Sequence, residues 1–506
     1  MSDGHRAKLV KGAAWIGSAT VIVNVIGFFS TILLARLLMP ADFGLIAIAT
    51  AVLGIIGVIS EFSLSKALVQ HDDPEPVHFH TAWTMNVIRG AIVALVIVVI
   101  AVPIALLYDD PRLRDIIMVM GLMTLVGGFS NPKLAVFERE LQFHQAFVMQ
   151  LTGKVIGFVA TIGIAWFYRS YWALVLGPLI TQVCLVIVSY MLIPYSPRFT
   201  LSRYKDLLSY SIWLTFGNWV QALSWRIDPL VLGFFIPARM LGQYAMGDQL
   251  ISKTIGEMIS PVKNVLFPAF SRMKNDAERL RSGYLRAQGV LCIICFPVAA
   301  GFAVTGPELV IAALGEKWRM AVPVVQLVAL MRMTQITENH GPLAMATGHT
   351  KLMFGREMRV FLVRWPFILL GIYIGRESAY NMLMGALAGR LASTFVNTWM
   401  NVDLIRKITT ITMRDHLRAV WKPLLASALM ALAVYAIRPV LPFGYDFDGL
   451  VLRLAVMIPL GATVYLGALV AIWVLTGRRA GVETEAVSIV LQFAKALLGK
   501  IRKRAA

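Results

Sequence analysis

Ionisable and amide side chains recur at steps of three and four residues inside stretches that are otherwise apolar. One stretch carries Thr50, Gly54, Gly57 and Glu61, and another Gln150, Lys154, Gly157 and Thr161. A third has Asn218, Gln221, Trp225 and Asp228, with Arg226 beside them, and the next has Gln249, Lys253, Glu257, Ser260 and Asn264. Arg332, Gln335 and Asn339 follow, with Glu338 adjacent, then Arg390, Thr394, Asn397 and Asn401; Arg89 stands alone in a further block. Such spacing puts each set on one face of a helix. Inside a membrane these groups are costly, and they face a partner helix or a water-filled cavity. Two chemistries are therefore open: hydrogen bonds and ion pairs that hold helices together, Lys253 with Glu257 for example, or a polar route for a solute. The bases outnumber the acids, and holding helices together needs only Ser and Asn at lower cost. A net-positive interior suits an anionic solute such as a pyrophosphate, which Arg and Lys bind through charge-assisted hydrogen bonds.

Other chemistries find little support. There is no P-loop and no His-Glu-x-x-His motif, so neither an ATPase engine nor that zinc site is expected. His71, Asp72, Asp73, Glu75, His78 and His80 have the composition of a metal site but match no ligand spacing, and they read as a solvated loop. Cys292 and Cys295 have Cys-x-x-Cys spacing in an apolar block and read as small apolar residues rather than a redox or metal pair. No cofactor, metal or nucleic acid is expected.

The elements that must position these groups are membrane-spanning helices. The 506 residues are 58% hydrophobic and only 15% charged, with a mean hydropathy of +0.72. The apolar residues fall in blocks of about twenty, the length a helix needs to cross the hydrocarbon, and blocks such as 91–107 and 424–437 do not alternate as barrel strands would. The blocks predict about fourteen spans, at 12–38, 42–66, 81–107, 114–136, 146–168, 171–193, 209–236, 241–267, 286–306, 321–346, 357–375, 379–402, 420–440 and 450–476. The first is too long for a signal peptide and is expected to remain a span.

Loop charge tests this count and orients it. With the N-terminus inside, about 29 basic residues fall on the cytoplasmic side against about 9 outside, so both termini are expected to be cytoplasmic. After Gly481, Ala486, Val490, Phe493, Leu497 and Ile501 recur at helical spacing in a basic tail, which is expected to lie on the anionic inner leaflet, with a solvated helix a close alternative. A short repeat appears: span 1 runs through Pro40-Ala-Asp-Phe-Gly44 into span 2, and span 7 through Pro237-Ala-Arg-Met-Leu-Gly242 into span 8. Six spans separate the copies, which points to two six-helix lobes in parallel orientation. The domain reading is 1–195 and 196–418 for the lobes, 419–478 for two additional helices, and 479–506 for the tail.

The Pro40-Ala-Asp-Phe-Gly44 turn and Glu61-Phe-Ser-Leu-Ser-Lys-Ala-Leu-Val-Gln70 resemble the Wzx-type oligosaccharide flippases of the MOP exporter superfamily. So do Asp228-Pro-Leu-Val-Leu-Gly233, Gly242-Gln-Tyr244 and Phe267-Pro-Ala-Phe-Ser-Arg272, in order over spans 1 to 12. Glu61-Phe-Ser departs slightly from the family's usual pattern, and the span count exceeds the twelve of many members. The resemblance implies two six-helix lobes around a central cavity. It implies transport of undecaprenyl-pyrophosphate-linked oligosaccharide repeat units across the bacterial inner membrane for exopolysaccharide, capsule or O-antigen synthesis. It also implies alternating access driven by an ion gradient.

On that reading Arg89, Lys154, Arg226, Lys253, Arg332 and Arg390 bind pyrophosphate and sugars, and Trp225 and Trp219 stack on sugar rings. Glu61, Asp228, Glu257 and Glu338 couple transport to protons or sodium. The implied partners are the lipid-linked oligosaccharide, membrane lipids, a polysaccharide polymerase and a chain-length regulator. Two alternatives keep the fold: a cation-coupled drug exporter, against which the basic excess argues, and a peptidoglycan-precursor lipid flippase. A membrane enzyme would need a large outer loop or a cytoplasmic domain, and even the loop at 439–449 spans only about a dozen residues.

Overall fold

The computed structural model describes residues 22–60, 64–70, 74–140, 143–204, 226–336 and 339–477. Among these residues the chain is helical and contains no strand. Seven of the described helices are long and apolar enough to cross a membrane by themselves. The chain is thus an all-α polytopic membrane protein. It divides into two compact units, 1–242 and 243–506.

In the first unit, α1 (Ile22–Leu37) leads into α2 (Pro40–Ser60), α3 (Leu64–Gln70), α4 (Pro76–Leu107), α5 (Arg112–Gly128), α6 (Leu134–Arg139), α7 (Phe143–Tyr168), α8 (Trp172–Leu192) and α9 (Asp228–Phe235). Pro40 opens α2 with a φ already suited to a helix, and the Asp42 carboxylate accepts the Met39 N–H at 2.8 Å, satisfying a donor the helix leaves open. On α4, Leu95, Val99, Val102 and Leu106 are exposed at steps of three and four, a stripe turned to lipid. The opposite stripe, Val93, Ile97, Ala101 and Ala105, is buried, and α4 packs along α5. Where α4 ends, the Tyr108 hydroxyl donates to Leu230 O of α9 at 2.7 Å.

The expected single span at 114–136 is two helices, because Ser130-Asn131-Pro132 stops α5. Pro132 lacks an N–H and drives Asn131 out of the helical region. Buried Asn131 instead donates its side-chain amide to Ser189 O at 3.2 Å and Ile193 O at 2.8 Å at the end of α8.

The two copies of the Pro-to-Gly turn meet within this unit. A Cβ added at Gly44 would collide with the Ala238 carbonyl, and one added at Gly242 would collide with the Pro40 carbonyl. The relation is reciprocal: in each copy the first residue of a helix lies against the glycine four positions on in the other. Only glycine lets two backbones approach this closely.

The second helix of that crossing, α10 (Ala238–Met273), continues into the second unit. There follow α11 (Ala277–Leu314), a 3-10 turn (Glu316–Ala321), α12 (Val322–Ile336), α13 (His340–Ala346), α14 (Thr350–Ile374), α15 (Ala379–Thr409), α16 (Met413–Ile437) and α17 (Phe447–Leu475). The expected span at 321–346 is thus divided between α12 and α13. Two glycine pairs at i, i+4 bring α14 and α15 into backbone contact: Gly371 lies against Gly385 O, Gly375 against Asn381 O and Gly389 against Phe367 O. Small residues at such spacing are how helices associate where lipid offers no hydrophobic driving force.

Helices α16 and α17 pack on α11 through Ala300, Ala426, Met430, Tyr465 and Leu469. The Tyr465 hydroxyl donates to Ile293 O at 2.7 Å. Arg438, following α16, pairs at 2.6 Å with Glu308, which is 1% exposed. Arg453, buried on α17, donates to the carbonyls of Arg438, Leu441 and Phe443.

Candidate functional site

The second unit gathers four helices around the half-buried carboxylate of Asp248. Tyr244, Asp248 and Ser252 stand at four-residue steps on one face of α10. Arg390 of α15 places Nη1 2.9 Å from Asp248 Oδ1. The same nitrogen donates to the Tyr244 hydroxyl at 2.6 Å, and its guanidinium carbon lies 5.8 Å from the Tyr244 ring centroid. The Ser252 hydroxyl donates to Asp248 Oδ2 at 3.1 Å and accepts from Arg332 Nη2 of α12 at 2.6 Å. Arg364 of α14 and Lys263 of α10 lie close enough to act electrostatically on Arg332. Among the described residues Asp248 therefore meets Arg390 directly and Arg332 through Ser252, and Arg332 in turn lies near Arg364 and Lys263. The α14–α15 glycine contacts fix the register that brings Arg364 and Arg390 to this cluster.

Guanidiniums present forked donors matched to carboxylate or phosphate oxygens. The arrangement can hold a phosphate-bearing anion, with Asp248 as the internal group that occupies Arg390 when no anion is present.

A second buried network lies between α13, α14 and α15. Arg356 Nη1 pairs with Glu357 Oε1 at 2.7 Å, Arg356 also donates to Asn397, and His340 Nε2 lies 3.6 Å from Glu357.

The structure brings Arg332 and Arg390 together. Lys253 and Glu257 sit on the exposed face of α10, turned from the Tyr244, Asp248 and Ser252 face. Arg89 on α4 and Lys154 on α7 are half-buried in the first unit. Arg226, exposed, lays its guanidinium over Gly54 of α2, where a Cβ would displace it. Asp228 is buried at the first turn of α9. Glu61, Trp219, Trp225 and Glu338 lie outside the described residues. The residues the sequence reading missed are Tyr244, Asp248, Ser252, Lys263 and Arg364. The four-residue spacing of the first three was the available signal, one position away from the stripe through Gln249 and Lys253.

Of the metal-like loop residues, His71, Asp72 and Asp73 lie outside the described residues. His78, 3% exposed, accepts the Glu75 N–H at 3.1 Å and caps α4, so it is not solvated. His80 Nδ1 and the Tyr195 hydroxyl are 2.9 Å apart. Cys292 and Cys295 are free and buried on α11.

A chain of membrane-spanning helices that also gathers cationic side chains on neighbouring helices has the make-up of a transporter. The chain matches the structure of the lipid II flippase MurJ in an inward closed conformation, with a TM-score of 0.70 at 15% identity, over 90% of this chain and 98% of that one. It matches an inward-facing multidrug resistance MATE family transporter of the MOP superfamily with a TM-score of 0.60 at 13% identity, over 77% of this chain and 96% of that one. These likenesses establish the fold. The family profile described as polysaccharide biosynthesis protein matches residues 33–323, and the chain belongs to that family. It is 24% identical over 445 residues to the lipopolysaccharide biosynthesis protein WzxC of Escherichia coli (strain K12), covering 86% of this chain and 89% of that one. The resemblance read from the Pro40, Asp228 and Phe267 motifs is thereby borne out.

Proposed function

We propose that this protein moves undecaprenyl-pyrophosphate-linked oligosaccharide repeat units across the bacterial cytoplasmic membrane by ion-coupled alternating access, for exopolysaccharide, capsule or O-antigen synthesis. The observation that carries the reading is the cluster in which Asp248 pairs with Arg390 and reaches Arg332 through Ser252, with Arg364 and Lys263 beside Arg332, in a chain of the polysaccharide biosynthesis family. Arg332 and Arg390 bind the pyrophosphate; Arg89, Lys154, Arg226 and Lys253 contribute further cationic contacts, and Trp225 stacks on sugar. Asp248 joins Glu61, Asp228, Glu257 and Glu338 as a group through which protons or sodium act. Fourteen spans, lobes at 1–195 and 196–418 and cytoplasmic termini complete the proposal, supported by the charge of the loops. A polymerase and a chain-length regulator would receive the cargo, and the protein itself carries out no catalysis. A drug exporter shares the fold, but its commonly cationic substrates would be repelled by this cluster.

The test is export by variants that stay in the membrane. Arg332→Ala and Arg390→Ala should abolish surface polymer while protein levels hold, with Arg390→Lys retaining part. Wild-type polymer in Arg332→Ala would overturn the assignment. Restored growth of cells depleted of their peptidoglycan-precursor flippase would redirect it to that cargo.

A further inference from the structure

A separate cleft in the first unit has cationic walls that the transport site does not use. It encloses about 350 Å³ beside the N-terminal turn of α4 and is lined by His80, Lys133, Tyr195, Ser196 and Arg198, with Pro76 and Pro194 at its edges. Its walls are fixed. Thr84 Oγ1 accepts the Thr200 N–H at 3.0 Å, and Trp83 packs edge-on against Phe199 with centroids 5.0 Å apart. The Trp83 indole donates to the Tyr190 hydroxyl at 2.9 Å, and that hydroxyl donates to Phe129 O at 3.0 Å. Asn131 ties the other side: its Oδ1 accepts the Lys133 N–H at 3.0 Å while its amide holds Ile193 O. The extended segment after α8 is thus held against α4 and the start of α6.

Into this frame Lys133 projects Nζ 5.6 Å from the Tyr195 ring centroid, and the Tyr195 ring stacks on His80 at 5.4 Å. Among the described residues no carboxylate lines the cleft; Glu75 nearby faces Arg203 at 3.9 Å. Two cations, two hydroxyls and an imidazole therefore converge on one small volume. The volume lies at the lower end for ligand pockets, enough for a headgroup and too small for an oligosaccharide. Trp83, Tyr190, Tyr195 and Phe199 form an aromatic cluster at the end of α4 and α8, the composition that marks the depth of lipid headgroups.

We infer that this cleft binds the phosphate of an anionic phospholipid headgroup. Lys133 and Arg198 neutralise the phosphate and the Ser196 hydroxyl donates to it; the Tyr195 hydroxyl donates to it as well when His80 carries its proton on Nδ1 and donates to Tyr195. Occupancy would couple the loop after α8 to the composition of the leaflet it borders.

The test uses the full chain, purified in detergent. Short-chain phosphatidylglycerol, short-chain phosphatidylcholine and inorganic phosphate are titrated separately, with bound ligand counted by native mass spectrometry. Phosphatidylglycerol should bind, and Lys133→Ala and Arg198→Ala should each weaken it about tenfold, the scale of one charge-assisted contact. Tyr195→Phe should weaken it less, since the ring stays on His80. Both cationic side chains lie outside the packed core, and the variants should melt as the wild type does. Equal binding of phosphatidylcholine, or unchanged phosphatidylglycerol binding in Lys133→Ala/Arg198→Ala, overturns the inference. Inorganic phosphate binding as tightly and with the same sensitivity overturns the lipid assignment in favour of a soluble anion. None of these readings depends on export, so they stand apart from the fate of the Arg332 and Arg390 assignment.

Discussion

Asp248→Asn isolates the internal counter-charge of the proposed transport site. The substitution keeps the size of the side chain and an oxygen able to accept from Ser252, but removes the carboxylate that pairs with Arg390. At 2.9 Å, the attraction to Arg390 is about 6 kcal/mol with an effective dielectric near 20. Most of it offsets the cost of burying the two charges, and loss of one partner of such a pair costs about 3–5 kcal/mol. The variant should therefore melt at lower temperature in the absence of ligand. An incoming phosphate no longer has to displace Asp248 from Arg390. If only a quarter of the attraction is recovered, about 1.4 kcal/mol, pyrophosphate should bind about tenfold more tightly. Calorimetric titration with inorganic pyrophosphate measures this directly, and the melting deficit should shrink as pyrophosphate is added. Export should fall, because the group that returns Arg390 to its empty state is gone. Pyrophosphate binding equal to or weaker than wild type would refute the idea that Asp248 and the anion compete for the same guanidinium.

Gly44→Val and Gly242→Val should each cost about 1–3 kcal/mol or more by forcing backbones apart, seen as loss of membrane-inserted protein; Gly163→Ala, with open space at its Cβ, serves as the harmless control. Arg438→Ala should destabilise by about 3–5 kcal/mol because it strands buried Glu308, whereas Glu308→Gln/Arg438→Met should recover most of the loss in a thermal melt. The hydrogen bond from Arg112 holds the Asp110 carboxyl below its ordinary value of 3.8. That contact stabilises the turn after α4 above the ordinary value and is lost as pH falls through the lowered one. Being largely at the surface it is worth less than about 1 kcal/mol, and Asp110→Asn should remove that much acid dependence from the melting curve.

Much of the helical architecture was legible because apolar blocks and their polar punctuation follow from what a bilayer demands of a backbone. Breaks inside blocks were harder. Nothing in the hydropathy of 114–136 outweighs its apolar run, yet Pro132 and the pull of Ser189 O and Ile193 O on Asn131 end the helix there. Arg332 and Arg390 stood out as charges in apolar surroundings. Asp248 did not, because a stripe shifted by one residue on α10 offered more polar members, and helix rotation is decided by neighbours rather than by the helix's own sequence. Arg364 was hidden for a related reason: its place beside Arg332 depends on backbone contact at Gly371, Gly385 and Gly389, a register that no periodicity encodes. His78 and His80 looked solvated because loop composition does not show that one caps α4 and the other stacks on Tyr195.

The crossing of the two Pro-to-Gly turns bears on how such a chain can change over generations. Each copy supplies the glycine that makes room for the other's backbone, so the two stretches are no longer free to diverge independently. A side chain acquired at position 44 or 242 is paid for at the opposite turn, and compensation has to come from a residue six spans away in the expected order. The close approach thus leaves a mutual dependence: a short passage of sequence whose spelling is held in place by a similar passage elsewhere in the chain.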